Sequence, residues 1–133
     1  MQQLINKLRP LAEPSHLSAE TLIFAQKALA KFGIAAMPKD FIELLHHINS
    51  LSLEGRHLFG IKPEPLNFMD IVNVNVFHKL ASAADNIILG DNEFDFLVYN
   101  QPRQSYLIVD KSDNKVLEEY SDLPSAIYNI LKI

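Results

Sequence analysis

Cysteine and tryptophan are both absent from the 133 residues, glycine occurs only four times, and no apolar run exceeds four residues. Without cysteine there can be no disulfide, no thiolate zinc site and no cysteine nucleophile, and the chain suits a reducing compartment such as the cytoplasm. Apolar runs as short as Leu22 to Ala25, Phe96 to Tyr99 and Tyr106 to Val109 argue against a membrane-spanning helix and against a secretory h-region. The hydrolase elbow G-x-S-x-G, the zincin helix H-E-x-x-H and the dinucleotide turn G-x-G-x-x-G are missing too. An excess of positive charge is also lacking. Twelve basic against 16 acidic residues give a net charge of −4, which disfavours a broad phosphate-binding surface and therefore a nucleic-acid partner.

What is present is globular. Hydrophobic residues make up 48% and charged residues 21%, enough to bury a core within the size of one ordinary domain. No repeat, low-complexity tract or long Pro/Ser/Gly linker interrupts the chain, so a single domain over residues 1–133 is expected, with the helical segment 1–17 as a peripheral piece. Charge is unevenly spread: residues 1–84 carry eight basic and seven acidic groups, residues 85–133 four basic and nine acidic. The C-terminal part is therefore an acidic surface, either merely solubilising or facing a basic partner.

Helical spacing is seen in Leu4, Ile5, Leu8 and Leu11, and again in Leu22, Ala25, Leu29 and Phe32, the latter between a capping Ser18 and a stop at Gly33. Pro38 stands at a first-turn position, and Phe41, Leu44, Leu45 and Ile48 continue the pattern, which predicts a helix ending near Asn49. Arg56 to Ile61 reads as a short strand. Residues 66–84 lean towards helix and irregular structure, with a strand as the alternative, because Asn73 and Asn75 interrupt the β-branched residues. From Ile87 onwards, Ile87–Leu89, Asp95–Tyr99, Ser105–Val109 and Val116–Tyr120 predict an antiparallel meander whose final strand is an exposed edge. A helix capped by Ser121 or Asp122 follows, with Leu123, Ala126, Ile127, Ile130 and Leu131 on one stripe. The expected fold is α+β: N-terminal helices, a mainly antiparallel sheet of four to six strands, and a C-terminal helix packed on it.

Chemical motifs dissolve on inspection. Gly55 and Gly60 have phosphate-loop spacing, but Ile61-Lys62 follow in place of Lys-Ser/Thr. His46 and His47 are adjacent and about 100° apart on a helix, so they cannot share a metal, and His16, His57 and His78 are scattered. Asp91, Glu93 and Asp95 open like a calcium loop, yet Phe96 replaces its glycine and Pro102 its glutamate. No spacing singles out a pair of carboxylates for acid/base work. No catalytic residue, metal or cofactor is expected.

Taken in order, Met37-Pro38-Lys39-Asp40-Phe41, Leu44-Leu45, Asn49, Leu58-Phe59-Gly60, Ile87-Ile88-Leu89-Gly90, Phe96-Leu97-Val98-Tyr99, Tyr106 with Val109-Asp110, and the last apolar helix form a pattern over residues 18–131 that resembles the SUKH superfamily. That group includes fungal glucan-synthesis regulators and bacterial immunity proteins that neutralise toxins, often nucleases. The family usually has Asn-Gly after the helix where this chain has Asn49-Ser50, so a left-handed turn at Asn49 and a differently shaped loop over 50–55 are expected.

The resemblance implies a non-catalytic binding protein, most of all a cytoplasmic immunity protein holding a toxin domain, with a regulatory scaffold of the fungal kind as the alternative and a small enzyme or ligand binder as a third reading. It transfers no binding residue. From charge alone, Asp91, Glu93, Asp95, Asp110, Asp113, Glu118 and Glu119 are the candidate partner-facing residues, since an acidic surface can mimic phosphate and steer a basic partner. A monomer or weak homodimer is expected: the Val116 to Tyr120 edge could pair, but Glu118 and Glu119 oppose it. No membrane is expected as a partner.

Overall fold

The computed structural model describes residues 1–78 and 85–133. Helix α1 (Gln2–Leu8) runs through a 3-10 turn (Arg9–Leu11) into strand β1 (Ala12–Pro14), and α2 (Ala19–Lys31) and α3 (Lys39–Leu45) follow. Strands β2 (Ile48–Leu53) and β3 (Arg56–Leu58) precede α4 (Ile71–His78). The remainder is β4 (Asn86–Asp91), β5 (Asp95–Asn100), β6 (Ser105–Asp110), β7 (Val116–Tyr120) and α5 (Leu123–Leu131). The fold is α+β, as expected, and every strand pairing is antiparallel in the order β1-β2-β3-β4-β5-β6-β7. Among the described residues the sheet has seven strands rather than four to six.

The additional strands are β1 and β2. The expected helix stops at Leu45, where the Ser15 hydroxyl donates to its last carbonyl, and Ile48, the fourth residue of the helical stripe, begins β2 instead. Asn49 is consequently in a strand and not in a left-handed turn: its Oδ1 accepts from the Ile61 N–H at 2.9 Å and its Nδ2 donates to the Ile61 carbonyl at 3.3 Å. Residues 50–53 continue β2, and the loop shrinks to Glu54 (φ 49°) and Gly55 (φ 80°), a two-residue hairpin whose left-handed pair matches the strand twist. The chain then passes Asn49 so closely that a Cβ on Gly60 would lie 2.3 Å from the Asn49 carbonyl oxygen.

Register divides the sheet into two faces. Leu58, Gly90, Leu97, Tyr99, Tyr106 and Ile108 point to one side, where α5 packs with its whole stripe buried. His57, Ile88, Asp91, Phe96, Val98, Leu107 and Val109 point to the other, towards α4, on which α2 packs in turn. Strands β5 and β6 are central and covered on both sides, which is why they are apolar at successive positions. The segment 1–17 is not peripheral, because Leu4, Ile5 and Leu8 of α1 are fully buried in the common core.

Two local expectations hold. Ser18 caps α2 through a reciprocal box with Thr21, and Asp122 caps α5 by accepting from the Ser125 N–H. Residues 71–78 are helical, as the leaning predicted, while 79–84 of the same stretch lie outside the described residues.

Candidate partner-binding surface

The antiparallel meander brings three turns to one end of the sheet: Glu54-Gly55 between β2 and β3, residues 92–94 between β4 and β5, and residues 111–115 between β6 and β7. Asn92 builds the middle one. It is buried, its Oδ1 accepts from the N–H groups of Phe94 and Asp95 at 3.0 and 2.9 Å, and its Nδ2 donates to the Ile130 carbonyl at 3.1 Å. The Lys111 N–H donates to the Phe94 carbonyl at 2.9 Å and ties this turn to the next. Phe94 is thus held on both sides of its backbone while its side chain remains in water, 69% exposed. A shallow groove of about 240 Å³ lies beside it, lined by Glu54, Arg56, Glu93, Asp95 and Lys132 among others.

The seven candidate acidic residues do not form one surface. Glu93 and Asp95 lie at this end beside Phe94, with Asp110 at the end of β6 and Asp113 on the neighbouring turn. Asp110 accepts from the Ser112 N–H and hydroxyl, which hold its carboxyl below the usual range, and Asp113 accepts from the Lys115 N–H. Asp91 is different. Its carboxylate is mostly buried, with Oδ1 2.6 Å from His57 Nδ1 and Oδ2 2.9 Å from Lys111 Nζ, so it is an internal link of the sheet. Glu118 and Glu119 sit on β7 and point to opposite faces: the former accepts from Tyr120 and Asn129, the latter from Ser105 at 2.6 Å with Arg103 3.6 Å away.

Around Asp91 an aromatic chain covers the α4 face. His57 stacks on Phe59, Lys111 lies over Phe96, and His78 meets Phe96 edge-on with ring centroids 4.9 Å apart. Burial lowers the His78 pKa, and Lys111 lowers it further. No group of three metal-binding side chains occurs among the described residues.

A larger cleft of about 380 Å³ lies between β1, the start of α2 and the segment after β3, lined by Glu13, His16, Asn49, Lys62 and Glu64 among others. Glu13 and Lys62 are committed to each other. Both carboxylate oxygens of Glu13 lie 2.9 Å from Lys62 Nζ, and one also accepts from Ser50; these partners hold the carboxyl below its ordinary range. Asn49 is occupied by Ile61, leaving a latch between β1 and the chain following β3.

Charge counting named the acids but neither Phe94 nor Asn92 of the same turn. A readable signal was there: Asn92-Glu93-Phe94-Asp95 places one large apolar residue inside a polar hairpin turn, against the rule that turns are polar.

No protein-family model matches the chain, and no curated protein matches it. Among solved structures it is similar to a protein from Pseudomonas syringae pv. tomato, with a TM-score of 0.67 and 15% identity over 96% of this chain and 94% of that one. At this identity the likeness is one of fold.

Proposed function

We propose that this chain is a non-catalytic protein-binding module of the immunity type, which holds a toxin domain against the three-turn end of its sheet and acts as a cytoplasmic monomer. The observation that carries the reading is Phe94, an exposed aromatic side chain on a backbone already fixed by Asn92 and Lys111. Such a residue loses little freedom when a partner closes over it, and rigid aromatic anchors carry much of the energy of protein interfaces. Glu54, Glu93 and Asp95 around it suit a partner with a basic site, such as a nuclease, by steering the encounter. The SUKH-like motif order supports a non-catalytic role.

The test is co-expression with candidate toxin domains, beginning with any that a neighbouring gene encodes, scored by rescue of growth and followed by calorimetry on the purified pair. Phe94→Ala is expected to weaken binding by about 2 kcal/mol or more with the melting temperature unchanged. Parent-like affinity in that variant would overturn the anchor. Absence of rescue, with cell-wall or signalling enzymes recovered in its place, would favour the regulatory scaffold.

A further inference from the structure

We propose that the outer edge of β7 is a strand-accepting site, which takes an extended basic segment of a partner protein as an additional antiparallel or parallel strand. The inference rests on the protein-binding reading and assigns it a second contact. The two edges of the sheet are unlike. Strand β1 is three residues long, has an irregular register against β2 and ends on Pro14, so it is blunted in the way edge strands usually are. Strand β7 is five residues without proline or glycine, and its inner side pairs with β6 through Tyr106↔Tyr120, Leu107↔Glu119 and Ile108↔Glu118 and then, past a bulge at Leu117, through Val109↔Val116, so the regular part of the edge is Glu118–Tyr120. Among the described residues, nothing beyond that ladder engages the backbone N–H and C=O groups of Val116–Tyr120. An open row of this kind is a template for a further strand.

Side chains decide which strand. In a two-fold antiparallel pairing of the whole edge with a second copy, Glu118 would face Glu118, and like charges directly opposite are destabilising. A basic strand meets no such penalty. Glu118 projects on the α5 face and Glu119 on the α4 face, so cations at two successive positions of an incoming strand would find one carboxylate on each side. Tyr120, Asn129 and Ser105 hold these carboxylates in place without neutralising them, and the Arg103–Glu119 ion pair, 3.6 Å long and exposed on both sides, is weak enough for an incoming cation to replace. Val116 and Leu117, 45% and 49% exposed, add apolar area where the edge joins the turn next to Phe94. The acidic residues that charge counting assigned to one patch thus have a different use on β7, where backbone pairing would supply affinity and the two glutamates the selection.

Amide NMR and hydrogen exchange on the full chain test this with three synthetic probes: the β-forming peptide Thr-Val-Lys-Arg-Val-Thr, the same peptide with Glu-Glu at its centre, and the basic peptide N-methylated at alternate backbone nitrogens. At millimolar concentration the basic peptide is expected to shift and protect the amides of 116–120, at least about tenfold more tightly than the acidic one, and N-methylation to abolish the effect. The double variant Glu118→Lys/Glu119→Lys, checked for an unchanged melting temperature, should reverse the preference. An unperturbed β7, equal binding of acidic and basic peptides, or protection of β7 that grows with protein concentration and needs no peptide would each overturn the proposal. Shifts gathered around Phe94 with β7 silent would overturn the edge site while leaving the binding-module reading intact. Failed growth rescue sinks that reading without altering the peptide result.

Discussion

Asp91 and Glu93 stand two residues apart with the same charge, yet their surroundings give them separate tasks. The Asp91 carboxylate, on β4, bridges His57 of β3 and Lys111 of the β6–β7 turn, and removing its charge leaves a half-buried ammonium without its partner. Glu93 is exposed on the turn that carries Phe94. Asp91→Asn is therefore expected to cost about 1–3 kcal/mol of stability with partner affinity unchanged, whereas Glu93→Lys should weaken binding and its salt dependence and leave stability alone. Chemical denaturation and calorimetry with the partner separate the two, and the reverse pattern would show the roles exchanged. Composition cannot make this distinction, because it counts an acid without knowing whether a lysine from the β6–β7 turn will arrive beside it.

Among the elements, α4 shows how a polar residue can hold a core together. Asn75 is buried, its Nδ2 donates to the carbonyls of Ile71 and Ile88, and its Oδ1 accepts from the Ile88 N–H at 2.7 Å. The side chain takes the place of a strand neighbour at the bulge in β4 and fastens helix to sheet. Asn75→Leu keeps the volume but strands both Ile88 backbone groups, so a loss of about 2–3 kcal/mol in urea denaturation is expected; an unchanged midpoint would deny the pin. In the sequence this asparagine reads only as an interruption of a valine-rich stretch, which tips the reading towards helix without revealing the bond to Ile88. By contrast α2, α5 and β4–β7 are legible, because caps, stripes and apolar runs agree there. Strand β2 is hidden since Asn49, Ser50 and Ser52 lack strand character, and Ile48 completes a helical stripe by coincidence. Its pairing with β1 and β3 overrides local preference. Strand β1, three residues ending on proline, leaves no local trace. The three-turn end was half visible: its acids were named, its exposed phenylalanine was not.

For the molecule as a whole, titration predicts an acid-weakened fold. Partial burial and the charge of Lys111 depress the His78 pKa in the folded state, so the unfolded chain takes up the proton first; this contribution is complete above the ordinary histidine pKa and declines as pH falls below it. Glu13, depressed by Lys62 and Ser50, acts in the same direction lower down: its contribution is present above the ordinary carboxylate range and is lost as pH falls through the folded value. Asp70 opposes both, because burial raises its pKa and acidification there favours the folded state. His78→Leu should flatten the stability curve between neutrality and about pH 5, and an identical slope in parent and variant would remove His78 as the cause. Sheet order has its own consequence. Each strand lies beside its predecessor, so a chain leaving the ribosome could assemble the meander stepwise, but α5 follows every strand it covers. For about a second of synthesis, greasy residues such as Leu97 and Ile108 await their lid, and the nascent protein is stickiest just before its final helix emerges.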